Sequence, residues 1–511
     1  MTKPPLPQRS EEDGAEQPQR LTAEQEDGLD RIGDCRKEED DHDGLGEPTL
    51  LVQAMLCLIA FVEGGDTQLL GSARKALQED LTLTLTELNY MEIAQMVSLS
   101  LGGPLWGILA DRGVLRRKTI LVVGAVGQGL VTISLGCVSS LLPMILLRTL
   151  NGIFLAALRP ICNGIIADVT AEQHRGKIFG RWQGAFIVGI AIVQIVVVPI
   201  SRKTILGFEG WRVAFTFVGT LSVILSSLVL CLFREPPHFQ APNEHSGLRA
   251  VWDEVMHLLQ FLRLPTFCMM ILQGIFGTIP WTVMGNMVLY FQLSGIADGP
   301  AGVLGSAQAV AGIFGNVLGG MVSDVLTRRL GLHGRPLPAQ ISVVVGIPLN
   351  YLLFHGIPPC GTCFWGYLCL IIGFGLFGTW AQSGTNFPVL SHIVPASSRS
   401  RVLAWEMALE NSIAYALGPF AVSHLAENTF GYTFGTQKFS GTDIHSARAL
   451  GQAMVLVICV PWIVTFLVYT LMHWTYPRDV KKVLKLSGPE QGEGSIDDSL
   501  RADTAATSAV V

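Results

Sequence analysis

The chain has 511 residues, 49% hydrophobic and 15% charged, with a mean hydropathy of +0.43. Soluble domains carry nearer a quarter of charged residues, and apolar runs such as Thr119–Leu135 and Ala214–Phe233 approach the ~20 residues that cross a ~30 Å hydrocarbon core. A single soluble core is excluded, and the net charge of −6 is an average over unlike regions.

Residues 1–47 are acidic and nearly devoid of apolar side chains. They cannot bury enough surface to fold, so a disordered cytosolic tail is expected. No apolar stretch follows a basic start there, which argues against a signal peptide. Hydropathy then predicts spans at 49–73, 88–110, 119–138, 141–168, 177–200 and 211–233, forming a first six-helix bundle over 48–233. A polar break covers 234–264. Within it Leu248, Val251, Trp252, Val255, Leu258, Leu259 and Leu262 recur at helical spacing opposite Arg249, Asp253, Glu254 and His257. That pattern fits an amphipathic helix on the membrane surface, or a linker helix without lipid contact. Six more spans follow at 266–293, 300–326, 339–355, 363–392, 400–426 and 448–473, giving a second bundle over 265–475 and a disordered tail over 476–511. The 55 glycines suit close packing of membrane helices. Most cysteines lie in apolar runs as small hydrophobes, and only Cys360-Gly-Thr-Cys363 has a suggestive spacing, which leaves a disulfide open.

Lys and Arg concentrate in alternate loops: Arg112, Arg116, Arg117 and Lys118, then Arg175 and Lys177, Arg328 and Arg329, Arg399 and Arg401. Arg74, Lys75, Arg202 and Lys203 are the exceptions on the other side. The bias puts both termini and the central loop in the cytosol, which requires an even number of spans. The halves also echo each other. Gly107-Ile-Leu-Ala-Asp111 before Arg116-Arg117 matches Gly320-Met-Val-Ser-Asp324 before Arg328-Arg329, and Asp168 to Arg175 matches His392 to Arg399. An all-α membrane protein of two related six-helix bundles around a midplane cavity is the expected architecture.

Gly107 to Gly113 followed by Arg116-Arg117-Lys118 resembles the signature between the second and third helices of the major facilitator superfamily, and Arg148-Thr-Leu-Asn151-Gly152 resembles a second motif of that family. The resemblance covers about residues 49–475. Within the superfamily the chain is most similar to Spinster-like transporters, through Asp66 followed by Ala76-Leu-Gln-Glu-Asp-Leu81, through Gly274 to Trp281, and through the run from Leu248 to Pro265. The likeness implies a secondary transporter working by alternating access, with a lysophospholipid or sphingolipid as substrate. It departs from that group at Leu155, where a carboxylate is usual, with Arg159 following. The fifth span also lacks the Gly-Pro motif of drug–proton antiporters.

Charges within a span are costly unless paired or wet, so each is a functional candidate. Glu63 and Asp66 share a face of the first span, and Asp66 and Arg148 sit at similar depth, where they can meet. A carboxylate–Arg pair is either a proton-coupling device or a permanent structural pair. Arg159 lies about three turns after Arg148 on the same face. Two cations along one wall suit an anionic or zwitterionic substrate, which admits an organic anion or sugar phosphate beside the lipid. Equally, Arg159 can cap carbonyls freed by Pro160. Gln273, Trp281 and Asn286 on the seventh span and Trp380, Gln382 and Asn386 on the tenth either line the cavity or bond neighbouring helices. Glu406 is expected to pair with Arg399 or Arg401. In the cytosolic motif, Asp111 can meet the positive end of the eleventh span and Arg112 can pair with Asp168, so that Gly107, Asp111, Arg112, Arg116, Arg117, Asp168, Arg175, Asp324 and Arg328 form a gate. No His-Glu-x-x-His or Gly-x-x-x-x-Gly-Lys-Ser/Thr pattern occurs, so neither a metalloenzyme nor ATP-driven pumping is expected. No cofactor, metal or nucleic acid is called for. A functional monomer with the bilayer, a small solute and protons as partners is expected, in a plasma or endolysosomal membrane.

Overall fold

The computed structural model describes residues 50–111, 115–170, 172–232, 256, 260–394, 399–433 and 443–486. The acidic first tail and most of the expected surface helix over 248–262 lie outside the described residues. Twelve helices form the described chain, in two sets of six. The first set is α1 (Leu50–Leu81), α2 (Leu85–Asp111), α3 (Arg117–Cys137), α4 (Leu141–Val169), α5 (His174–Ser201) and α6 (Gly210–Leu232). The second is α7 (Pro265–Leu293), α8 (Asp298–Gly334), α9 (Leu337–Gly356), α10 (Phe364–Ile393), α11 (Arg399–His424) and α12 (Ile444–Leu486). Eleven are long and apolar enough to cross a membrane. The exception is α11, whose Arg399, Arg401, Glu406 and Glu410 lower its hydropathy.

Helices dominate because a backbone in lipid must satisfy its own polar groups. Where the backbone pattern breaks, the sequence shows why. In α4 the helix yields at Ala156 and Ala157, before Pro160. Proline has no N–H for the carbonyl four residues earlier and its ring crowds that carbonyl. In α7 a short tight turn of helix at Met284–Asn286 follows Pro280. In α10 a wider turn spans Gln382–Asn386. Such irregular turns re-aim side chains and are common at functional positions.

Within the first half, α1 packs on α5 and α3 on α6. The α1–α5 crossing is close because Gly64 and Gly189 each face the other helix's backbone, leaving no room for a Cβ. A two-residue hairpin, β1 (Thr204–Ile205) and β2 (Phe208–Glu209), joins α5 to α6. Its turn residues Leu206 and Gly207 have φ of 54° and 83°, the left-handed pair that tight hairpins need. The halves meet where α2 packs on α11 and α5 on α8.

Two boundaries differ from the hydropathy reading. Helix α1 runs on to Leu81, so Arg74 and Lys75 lie in the helix and not in a loop. Helix α12 continues to Leu486, past the boundary expected at 475. Charge marks where apolar composition stops, but a helix continues wherever its charges find partners.

Candidate functional site

A cavity of about 430 Å³ lies between the halves. Helices α1, α2 and α5 supply one wall, and α7, α8, α10 and α11 supply the other, with Trp281 and Phe186 among its aromatic surfaces. At one end it reaches Gln183 of α5 and Asn316 of α8, both exposed; at the other it ends against buried Gln194 and Gly305. The first end is the one bearing the basic loops. The cavity is therefore open at the basic end and closed at the far end.

The wall formed by the first half backs onto a buried relay. Asp66 and Arg148 are 0% and 1% exposed, yet they form no ion pair with each other, contrary to the expected contact. Four hydrogen bonds link them indirectly. The Thr132 hydroxyl donates to Asp66 Oδ1 at 2.7 Å and accepts from Asn151 Nδ2 at 3.0 Å. Gln95 Nε2 donates to Asn151 Oδ1 at 2.6 Å, and Arg148 Nη1 donates to Gln95 Oε1 at 3.0 Å. Arg148 also sits over the Phe215 ring. Asp66 Oδ2 and Arg148 Nη2 are buried with no hydrogen-bond partner, which leaves both charges incompletely satisfied. Nearer the basic end, Arg159 Nε pairs with Glu63 Oε1 at 3.3 Å and its guanidinium lies over Phe186 and Trp182. Of the two readings of Arg159, neither the free anion grip nor the carbonyl cap is what its contacts show.

The far end is fastened by bonds that cross between halves. Arg74 of α1 pairs with Glu92 of α2 and donates to Asn89 at 2.7 Å and to Asn286 of α7 at 2.9 Å. Asn89 in turn donates to the Pro419 carbonyl of α11 at 2.7 Å. Arg202 bridges Glu79 at 2.7 Å and Asp298 of α8 at 3.1 Å. Lys75 donates to the Gln292 carbonyl, Tyr432 to Gln78, and Thr86 to Glu427. Glu92, Asn89 and Gln95 were not singled out in the sequence, and Arg74 was read only as a loop charge. The available signal was Glu92, a carboxylate one turn inside the second apolar run.

The second half holds a separate polar knot. Tyr469 of α12 donates to Gln273 at 2.6 Å and, in a shared geometry, lies 2.8 Å from Asn386, while Asn386 donates to Gln382 at 3.1 Å. These side chains line a smaller cavity of about 100 Å³ inside the second half, with Trp281 and Trp462. Trp281 stacks on Phe374 with centroids 5.1 Å apart and also reaches the central cavity. Of the six candidates here, Trp281 alone lines the central cavity. Asn286 serves the far-end cluster, and Trp380 packs on Gly319 and donates to the Leu376 carbonyl. Glu406 is buried and pairs with neither Arg399, which donates to the Ser391 carbonyl, nor Arg401. Glu410 presses on Gly274 of α7 with Oε2 unpartnered.

At the basic end the described pairs stay inside each half. Asp168 pairs with Arg117 of α3, and Arg175 donates to the Thr170 carbonyl at the end of α4. Asp324 pairs with Arg335 at 3.2 Å, whereas Arg328 and Arg116 are exposed. Arg112 and the side chain of Asp111 lie outside the described residues, as does the expected contact of Asp111 with α11. Gly107 has open space on its side-chain face. The far loop holds Cys360 and Cys363 as free thiols. A hydrogen bond from Cys363, helped by Thr362, stabilises the Cys360 thiolate and brings its pKa down to about 7.

A family model described as Major Facilitator Superfamily matches residues 56–435. The chain belongs to that superfamily. As a major facilitator protein it is a multi-pass membrane transporter for small molecules, not an enzyme. A relative described as "Probable 4-methylmuconolactone transporter" from Cupriavidus pinatubonensis is 25% identical over 68% of this chain and 77% of its own length. The multi-drug resistance efflux pump PmrA of Streptococcus pneumoniae is 25% identical over 66% and 78%. Among solved structures, a bacterial homolog of the human lysosomal transporter Spinster, inward-facing and occupied, aligns with a TM-score of 0.69 at 19% identity. That alignment covers 84% of this chain and 97% of the other. The major facilitator fold is shared, and the named solutes differ from one relative to the next.

Proposed function

We propose that this major facilitator protein is a proton-coupled carrier, with its cavity open to the cytosol in the described state. The observation that carries the reading is the one-sided cavity between the halves, closed at the far end by cross-half bonds. The basic loops give that open end its cytosolic assignment, with both termini on the same side. Coupling is assigned to Asp66 and its relay. Proton binding at Oδ2 removes the charge that the Thr132 hydroxyl faces. That frees Thr132 and Asn151 to rearrange and loosens the hold of Gln95 on Arg148. A carrier of this kind shifts between two states only by as much as the proton and the solute prefer one of them.

The lysophospholipid or sphingolipid implied by the Spinster likeness and the organic anion suggested by two arginines are the substrates to weigh first. The cavity lining supports neither. Arg148 is turned into the first half and Arg159 is engaged by Glu63 and two rings. A second reading, an uncoupled facilitator, follows if the unpartnered Asp66 oxygen is simply an uncompensated buried group.

The test is uptake into proteoliposomes with an internal pH dye, using a lysophospholipid, a hexose phosphate, an aromatic carboxylate and neutral sugars. Solute-dependent proton movement in wild type that is lost in Asp66→Asn supports coupling. Solute flux that is indifferent to both the gradient and Asp66 leaves a facilitator.

A further inference from the structure

The central cavity is lined by amides. Gln68 of α1, Gln183 and Gln194 of α5, and Gln308 of α8 converge on it from both halves, joined by the Tyr415 hydroxyl of α11. Among the described residues, Gln68, Gln183, Gln308 and Tyr415 form no side-chain hydrogen bond. Gln194 is 4% exposed, and its buried Oε1 has no partner. Each amide offers both donors and an acceptor; buried Gln194 is left with a costly unbonded oxygen, while half-buried Gln68 and Gln308 and exposed Gln183 face the cavity with their bonding groups open to a ligand. Among the described residues that line the wall, Glu92 alone is charged, and Arg74 already holds it. An anion would meet no cation among the described lining residues; Arg159, behind Phe186, is already held by Glu63 and two rings. A long acyl chain would leave every amide unpartnered.

We infer that the cavity takes a neutral, hydroxyl-rich solute of monosaccharide or polyol type. Each hydroxyl of such a solute both donates and accepts, as each amide does. The roughly 430 Å³ volume falls in the range of small-molecule sites. Trp281 and Phe186 supply the flat apolar surfaces on which the C–H face of a sugar ring rests. The inference rests on the reading of this cavity as the transport site, and it is independent of proton coupling.

The experiment is equilibrium binding to the purified full-length protein in nanodiscs, without any gradient, followed by tryptophan fluorescence. The probes are D-glucose, mannitol and myo-inositol, against lysophosphatidylcholine, a hexose phosphate and hydroxybenzoate. Saturable binding of at least one neutral probe is expected, weakened ~3- to 10-fold by Gln68→Ala and by Gln308→Ala, as for one lost hydrogen bond each. Gln308→Asn, which keeps the amide, and a monodisperse elution profile separate a lost contact from a misfolded variant. Binding confined to the lysolipid, phosphate or carboxylate overturns the inference. So does the absence of binding by all three neutral probes, or neutral binding that both alanine variants leave unchanged. If neutral binding holds while gradient-driven flux fails, the coupled-carrier reading falls and this one stands.

Discussion

The two ends of the cavity use charge in opposite ways. At the basic end, the described ion pairs Arg117–Asp168 and Arg335–Asp324 join helices of the same half or turns of one segment. At the far end, Arg202 links Glu79 to Asp298, and Arg74 links Glu92 to Asn286, so the bonds span the boundary between halves. Bonds of the first kind stiffen each bundle whichever way the carrier faces. Those of the second kind must break before the far end opens, so they bias the equilibrium between states. The position of a pair relative to the boundary matters more here than its strength.

Breaking the most buried far-end contact is expected to have the largest effect. Arg74→Met leaves Glu92 without its cation in a buried site, which costs about 3–5 kcal/mol. Thermal unfolding in detergent should show a marked loss of stability, partly restored when Glu92→Gln is added. A variant as stable as wild type would mean that the Arg74–Glu92 contact contributes little.

Next comes Asp66→Asn, expected to reduce gradient-driven uptake by at least about tenfold, a change of ~1.4 kcal/mol, while solute exchange continues. Equal losses in both assays would assign Asp66 to folding or solute binding instead. A smaller effect is expected of Arg202→Gln, because its ion pairs are partly exposed and such pairs contribute about 0.2–1 kcal/mol. The readout is labelling of a cysteine introduced at Val198, buried on the α5–α8 contact, which becomes more accessible from the far side as the closed state loses population. Unchanged labelling would remove Arg202 from the latch. The smallest effect concerns Cys360. Its thiolate fraction rises through a pH of about 7, so maleimide labelling of the far loop should reach half its maximal rate there in wild type. In Cys363→Ala that midpoint should move upward, because the donating thiol is removed.

Much of this arrangement was legible in the residue order. The six-break-six pattern and the echo of Gly107–Asp111 in Gly320–Asp324 came from spacing and residue type, which left Trp281 open between a cavity position and a helix contact. What escaped was partner choice. Arg74 lies just beyond an apolar run, so hydropathy assigned it to a loop, and only the fold brings Glu92 and Asn286 to it. The Asp66–Arg148 pairing was inferred from equal depth, but depth does not fix azimuth, and Thr132, Asn151 and Gln95 occupy the space between. The glutamine-lined wall was missed for a related reason. An isolated Gln barely disturbs an apolar run, and four of them become a site only when three helices place them together.

Helix α11 carries a further consequence, for synthesis. Its hydropathy falls short of the other eleven helices, and a carboxylate or guanidinium near the middle of a lone helix opposes insertion by about 2.5–3.5 kcal/mol. In the finished molecule Glu410 is sheltered against Gly274 and α11 rests on α2 and α7. Those neighbours emerge from the ribosome earlier. Entry of α11 into the bilayer is thus a cooperative event in which helices already assembled serve as its solvent, and a bulky residue at Gly274 would impair biogenesis before it touched transport.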